Sequence, residues 1–257
     1  MIRKGIILAG GNGSRLRPLT DIISKQLLPI YNKPMIFYPL SCLINMGVKE
    51  ILIISDPMNM KFYKKLLGNG KKFKVNITYK IQYRPNGIAA AYILAKQFLN
   101  NCPSVLMLGD NIFYGSNLIS QFKKAFNDEN STLFTYEVDN PSIYGVLEIK
   151  NKKKYIIEKP KKTKSKKAIV GIYFLDNQAS KIAQSLKYSK RKELEITDLN
   201  NIYLKKNKIN IVSLDQGIAW LDTGSFEGLL DAANFVRTLE KRQGLDTAPL
   251  YKIKSYS

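Results

Sequence analysis

The apolar positions of the first hundred residues fall into short continuous runs separated by helical patterns. Runs at 4–9, 50–55, 75–81 and 104–108 are rich in Ile, Leu and Val and read as buried strands. Between them, 34–46, 61–67 and 88–99 carry helical patterns, with Pro34 placed to start the first and Gly47 to cap it. This βαβα order predicts a mainly parallel sheet with helices on both faces. A helix is expected around 118–126, and then the pattern changes. Runs at 132–138, 145–149, 155–158 and 169–175 read as clustered strands, and helices are predicted at about 179–186 and 196–205. A strand at 209–214 and a helix at 226–242 complete the ordered part. With no internal repeat and no linker, one domain covering 1–257 is expected.

Composition narrows the chemistry more than the fold. The 257 residues, 45% hydrophobic and 24% charged, suit a soluble globular domain. No apolar run approaches the length of a membrane span, and the apolar start at 6–9 ends at once in Gly10-Gly11, too short for a signal-peptide core. A cytoplasmic protein with no membrane partner is the expectation. There is no histidine, and Cys42 and Cys102 lie far apart. Zinc sites and Ser-His-Asp arrangements are thereby excluded. Carboxylates, lysines, arginines, hydroxyls and oxygen-bound metal ions remain.

The net charge of +21 could suggest a nucleic-acid partner. Only seven of the 41 basic residues are arginine, however, so 41 − 7 = 34 are lysine, the pattern of an A/T-rich coding bias on solvated positions. The densest run, 150–167, holds ten lysines and one acid, Glu158, without the interleaved aromatic series of a single-strand platform. No nucleic-acid partner is expected. Attraction of small anionic substrates is the milder consequence.

Gly10, Gly11, Gly13, Ser14 and Arg15 directly follow the first strand. Glycines leaving a strand can turn backbone N–H groups toward phosphate oxygens, and Arg15 adds a planar charged donor set. No Gly-Lys-Ser/Thr follows, so this is not a Walker loop. By themselves the glycines fit a structural tight turn equally well.

The longer string is more specific. Gly10-Gly11-Asn12-Gly13-Ser14-Arg15-Leu16-Arg17-Pro18-Leu19-Thr20 continues into Ser24-Lys25-Gln26-Leu27-Leu28-Pro29-Ile30 and Lys33-Pro34-Met35-Ile36. It resembles the signature of the sugar nucleotidyltransferases, most closely that of the glucose-1-phosphate thymidylyltransferases. The resemblance runs on, in family order, through 82–91, Gly109-Asp110-Asn111-Ile112-Phe113-Tyr114-Gly115 and Tyr144-Gly145-Val146. It then takes in Glu158-Lys159-Pro160, Glu193-Leu194-Glu195-Ile196-Thr197-Asp198 and Ala219-Trp220-Leu221-Asp222-Thr223-Gly224.

That resemblance implies an α/β nucleotide-diphospho-sugar transferase fold, Rossmann-like, with a mixed sheet and helices on both faces. It implies dTTP and α-D-glucose 1-phosphate as substrates, dTDP-glucose and pyrophosphate as products, and a place at the entry to deoxysugars such as rhamnose. UTP or another sugar phosphate, or a non-catalytic sugar-nucleotide-binding homologue, are the alternatives. Arg15, Lys25 and Lys159 would be catalytic. Gly10, Gly11, Gly13, Ser14, Arg15, Gln82, Gly87 and Asp110 would bind the nucleotide, with Gly87 letting the base approach the backbone. Asn111, Gly145, Glu158, Lys159, Arg191 and Trp220 would bind the sugar phosphate, although a lone Trp also reads as core. Asp110 and Asp222, each placed in a turn after a strand, would hold Mg²⁺. A homo-oligomer is implied as well.

The chain departs from the family pattern at Ala90, where a Gln is usual, at Ser14 for Thr, and at Lys192 for Gly. Relatives continue past 242–245 into helices that contribute to a second nucleotide-sugar site, and Ser116 and Gln216 stand where they often have His and Arg. Weak feedback inhibition is the expectation there.

Overall fold

The computed structural model describes residues 3–11 and 13–250; the tail from 251, to which the sequence assigns no helix, lies outside the described residues. In the first half, β1 (Lys4–Leu8) leads through a loop of 3-10 turns to the short pair β2 (Pro29–Ile30) and β3 (Lys33–Pro34). Then come α1 (Phe37–Met46), β4 (Glu50–Ser55), α2 (Pro57–Leu67) and β5 (Asn76–Ile81). Next are α3 (Ala90–Leu94), α4 (Lys96–Leu99), β6 (Ser104–Leu108) and β7 (Asn111–Tyr114). The second half runs α5 (Leu118–Asn127), β8 (Ser131–Glu137), β9 (Gly145–Lys150), β10 (Lys153–Glu158) and β11 (Lys167–Leu175). It ends with α6 (Ala179–Ser185), α7 (Ile196–Lys205), β12 (Ile209–Ser213), β13 (Ala219–Asp222) and α8 (Phe226–Gln243).

One nine-stranded mixed sheet runs β10-β9-β11-β6-β1-β4-β5, with β8 joining at β11 and β12 joining at β8. β6, β1, β4 and β5 are parallel, whereas β11 is antiparallel to β6 and opens the mixed half. The unbroken apolar runs follow from helices covering both faces. In β1, Ile7 points into a core shared with α1, α2 and α5, while Ile6 and Leu8 point into one shared with α3, α6 and α7. β4 and β6 split the same way, Ile51, Ile53, Val105 and Met107 to the first core and Leu52, Ile54 and Leu106 to the second. A third, smaller core packs α8 through Ala232 and Val236 onto Ile30, Met35 and Tyr38.

Several boundaries differ from those expected. Pro34 does not start a helix: it pairs with Pro29 in the β2–β3 ribbon, and α1 begins at Phe37. Gly47 does cap α1, in a left-handed conformation at φ 102°. α2 starts at Pro57, one turn before 61, because the Asp56 side chain accepts from the Asn59 N–H and Pro57 takes the first helical position. The helix expected over 88–99 is two short helices meeting at Ala95. β7 and β13 form an antiparallel ribbon that short apolar runs did not announce.

Candidate active site

The four parallel strands end at Leu8, Ser55, Ile81 and Leu108, so the loops that follow all leave the sheet at one edge. Those loops carry Gly10 to Arg15, Asp56, Gln82 and Asp110. The carboxyl ends of parallel strands are where an open α/β sheet leaves a crevice for ligands. Gly10 packs on Gln82: a Cβ on Gly10 would lie 2.7 Å from Gln82 Oε1. Gly11 and Gly13 take φ of 125° and 55°, values that favour glycine, and Ser14–Leu16 forms a single 3-10 turn. Thr20 Oγ1 donates to Gly13 O at 2.8 Å and fixes the loop.

Charged groups meet where this loop faces β6. Lys25 Nζ forms an ion pair with Asp110 Oδ2, and Asn111 Nδ2 donates to Asp110 Oδ1 at 3.1 Å. Asp222 is not in a turn, as the sequence suggested, but ends β13, in register with Asn111 of β7. This pairing across the ribbon brings the second carboxylate beside the first. Thr223 Oγ1 donates to the Asp110 carbonyl at 2.7 Å, and Gly224 N–H donates to Asp222 Oδ1 at 3.0 Å. A Cβ on Gly224 would lie 2.5 Å from Arg15 Nη2 and 3.0 Å from Asp222 Oδ1, so the guanidinium reaches the same corner.

The two carboxyls respond oppositely. Burial pushes the Asp110 carboxyl up, but the Lys25 ammonium outweighs it and holds the carboxyl below its ordinary range. Asp222 is pushed up by burial and then by the Asp110 charge, against the pull of Lys25 and Arg15.

The other end of the cavity is built from β10, β11 and α7. Glu158, the last residue of β10, accepts from Thr197 Oγ1 at 2.6 Å and from Arg191 Nη1 at 3.4 Å. Arg191 also pairs with Glu193 at 2.7 Å, and Glu195 lies 3.8 Å away. Burial opposes its charge, yet Glu195, Glu193 and Glu158 together hold the guanidinium above its ordinary value. Burial likewise raises the carboxyls of Glu195 and Asp198. Lys159 differs from the solvated lysines around it: its backbone is left-handed, φ 44°, and its N–H donates to Tyr144 O at 2.9 Å. A lysine in that conformation just before a proline is held by its surroundings rather than by its own preference.

Asn111 links the two ends. Its Oδ1 accepts from Trp220 Nε1 at 2.7 Å and from Gly171 N–H at 3.2 Å. A Cβ at position 171 would lie 2.3 Å from that oxygen, which explains a glycine inside β11, at the irregularity between Ile169 and Tyr173. Trp220 is both a core residue and a residue of the cavity wall. It is buried against the rings of Tyr144, at 4.9 Å, and Tyr136, at 5.9 Å, yet still lines the cavity.

One cavity brings together Arg15, Asp110, Asn111, Gly145, Glu158, Lys159, Arg191, Trp220 and Asp222. A second hollow contains Gly11, Lys25 and Gln82 with Arg17, Asp56 and Tyr83. The Lys25–Asp110 pair stands between them. Gly10, Gly13 and Ser14 line neither hollow, although they belong to the loop that edges both.

Gly87, expected to let the base approach the backbone, is also required by a packing contact within the protein. Its φ is 102°, and a Cβ would lie 2.3 Å from Leu194 O, so the close approach it allows is to the Leu194 backbone. Ala90 is buried in the second core and lines neither hollow. Tyr144, Tyr173, Glu195 and Thr197 were missed as cavity residues. For Tyr144, Glu195 and Thr197 the signal was present, since all three lie in motif blocks already singled out.

The model of the nucleotidyl transferase family matches residues 4–238. The chain belongs to that family. Within it, glucose-1-phosphate thymidylyltransferase of Xanthomonas campestris is 48% identical over 246 residues, 95% of this chain and 83% of the relative. The protein of the same name from Neisseria meningitidis is 46% identical over 253 residues, 97% of this chain and 88% of its own length. A crystal structure from Bacillus anthracis assigned to that activity, with sucrose bound, matches at a TM-score of 0.83 and 38% identity, covering 91% of this chain and 95% of its own. A UDP-glucose pyrophosphorylase complexed with UDP-glucose matches at a TM-score of 0.82 and 25% identity, covering 94% of this chain and 100% of its own. The family's mixed sheet with helices on both faces is the fold described above, as the sequence led us to expect.

Proposed function

We infer that the protein transfers a thymidylyl group from dTTP to α-D-glucose 1-phosphate, giving dTDP-glucose and pyrophosphate. The observation that carries this reading is the junction at Lys25, Asp110, Asp222 and Arg15, placed between a hollow edged by the glycine loop and a cavity edged by Glu158 and Lys159. A nucleotide in one and a sugar phosphate in the other would meet there. Relatives named for thymidylyl transfer are 38–48% identical to this chain, against 25% for the structure named for UDP-glucose, which favours dTTP over UTP.

In the proposed reaction a phosphate oxygen of the sugar phosphate attacks the α-phosphorus of dTTP. The new P–O bond forms as the bond to the bridging oxygen breaks, and that electron pair leaves with pyrophosphate. Such a step depends on alignment and on neutralising negative charge. Arg15 and Lys25 supply fixed positive charge at the junction, and the loop from Gly10 to Ser14 with Gln82 holds the nucleotide. Lys159 and Arg191 face the sugar phosphate, whose hydroxyls Glu158 can accept from. Asn111, held by Trp220 and Gly171, and the backbone at Gly145 shape the remaining wall.

A magnesium ion fits the donor chemistry. The Asp222 carboxyl, raised by burial and then by the neighbouring Asp110 charge, stands beside a second carboxylate, the pairing a hard cation suits. Among the described residues no group of three or more His, Cys, Asp or Glu side chains could hold a metal ion by itself, so the protein would offer two carboxylates and substrate phosphates would complete a hard, all-oxygen set. Asp110 and Asp222 would hold the ion, which neutralises phosphate charge when bound.

We further propose that residues 1–257 act as one domain, that the protein works in the cytoplasm as a homo-oligomer, and that its product feeds deoxysugar synthesis. Two cores flanking one sheet support the single domain, and among the described residues no helix is long and apolar enough to cross a membrane. The deciding experiment is a grid of dTTP, UTP, CTP and ATP against several sugar phosphates with Mg²⁺, read by pyrophosphate release. dTTP with glucose 1-phosphate should give the highest kcat/KM. A higher value for another pair would replace this assignment.

A further inference from the structure

We propose that Asn200, which has no part in the mechanism above, is a sugar-recognising residue of the cavity, pairing its side-chain amide with a hydroxyl of the sugar phosphate. The inference rests on the reading just given, that this end of the cavity takes the sugar.

α7 turns three polar side chains toward β10 and the cavity, spaced as one face of a helix requires. Two of them have protein partners. Thr197 donates to Glu158 at 2.6 Å, while Asn201 accepts from Ile156 N–H and donates to Ile156 O, both at 2.8 Å, locking the helix to the strand. Asn200 lies between them in position and has none. It is 1% exposed, lines the cavity, and its Oδ1 is buried without a hydrogen-bond partner.

A buried amide oxygen without a partner is costly, and proteins rarely keep one without a reason. Tyr92 Oη and Ser104 Oγ also fall short of a hydrogen bond of ordinary geometry, but they interact with each other and neither residue lines the cavity. Asn200 is the one such side chain among the described residues that lines it. Its amide can accept from a hydroxyl and donate to one, the complement of a sugar hydroxyl or a vicinal pair. A site built to bond a hydroxyl rejects the analogue lacking it strongly, because the amide is then left unpaired.

The test measures KM and kcat for glucose 1-phosphate and its 2-, 3-, 4- and 6-deoxy analogues in the wild type, Asn200→Ala and Asn200→Leu. In the wild type one deoxy analogue should lose roughly tenfold or more in kcat/KM through this contact. Both variants should raise the KM for glucose 1-phosphate by a similar factor, leave that for dTTP within about twofold, and lose discrimination at that one hydroxyl alone. Asn200→Leu, which replaces an unpaired buried amide by an apolar group of similar size, should melt at or above the wild-type temperature. Variants that discriminate among the four analogues as the wild type does overturn the proposal, whether or not their stability has changed. So does a melting temperature that falls in both with no change in sugar KM. Wild-type protein that turns over no glucose 1-phosphate with dTTP would instead overturn the reading beneath it.

Discussion

The sheet buries charge at both of its ends, and the two ends treat it differently. At the end where β1 begins, Arg3 is 1% exposed and directs its guanidinium at five backbone carbonyls. Nε reaches Phe126 O at 3.0 Å, Nη1 reaches Leu175 O at 2.9 Å and Ser104 O at 3.4 Å, and Nη2 reaches those of Asn130 and Asp128. Burial lowers its pKa, and the carbonyls that cradle it tie β1, β6, α5 and β11 together. At the opposite end, Lys25 has one carboxylate, Asp222 has a carboxylate for a neighbour, and Arg15 is exposed at the rim. A buried charge with every donor satisfied stabilises a fold. Like charges held close, with cations beside them and no closed network, store a requirement for a ligand.

The sharpest way to break this comparison is to neutralise each carboxylate. Asp110→Asn and Asp222→Asn should each lower Mg²⁺-dependent kcat/KM by roughly 10²–10³-fold while the variants stay folded, a loss of the size seen when a preorganised charge-stabilising group is removed. Pyrophosphate release and circular dichroism on the same samples decide it. Normal turnover in both variants would remove the metal assignment.

The Arg3 end should behave in the reverse sense. Arg3→Met keeps much of the side-chain volume but leaves five carbonyls without their donor. A cost of roughly 3 kcal/mol follows from stranding buried acceptors, or a Tm lower by about 6–12 °C for a chain of this length. At temperatures where it is folded, kcat and KM should match the wild type. A variant with a wild-type Tm would mean that the clamp contributes nothing, and the contrast between the two ends would fail.

The sequence carried much of the local structure because local physics fixes it. The runs at 50–55 and 104–108 became β4 and β6 with those bounds, since a strand covered on both faces has little choice but continuous apolar residues. The same holds for α7 over 196–205. What escaped depends on contacts far along the chain. The β7–β13 ribbon joins segments over a hundred residues apart, and only that pairing sets Asp222 beside Asp110. Gly87 answers to Leu194, and Gly171 to Asn111, neither of which is a sequence neighbour. Most of the site's residue types were legible from their motif blocks. The pairing of Lys25 with Asp110 and the division into two hollows needed the fold.

The smallest expected effect is the most discriminating, because it asks whether Asp222 is strained in the absence of a cation. Its carboxyl is raised from the ordinary value of 3.8, first by burial and then by Asp110. Above that value the native state holds its proton more tightly than the unfolded chain does, so this group's contribution to stability falls as pH rises through the raised value. The neutral amide of Asp222→Asn would carry no such penalty and could still accept from the Gly224 N–H, as Asp222 Oδ1 does at 3.0 Å. Asp222→Asn without Mg²⁺ should therefore be more stable than the wild type at neutral pH, by on the order of 1 kcal/mol. The gap should close as pH falls below the ordinary carboxylate value, where both side chains are neutral. Asp110→Asn should have the opposite sign, because the Asp110 carboxyl is held down by Lys25 and its contribution is present above the ordinary value and lost in acid. Thermal melts of the three proteins across pH, with Mg²⁺ absent and then added, read all of this. Added Mg²⁺ should raise the Tm of the wild type and much less that of Asp222→Asn. Destabilisation of Asp222→Asn at every pH would show that Lys25 and Arg15 already compensate the second carboxylate, and the junction would then be as closed a network as the one around Arg3.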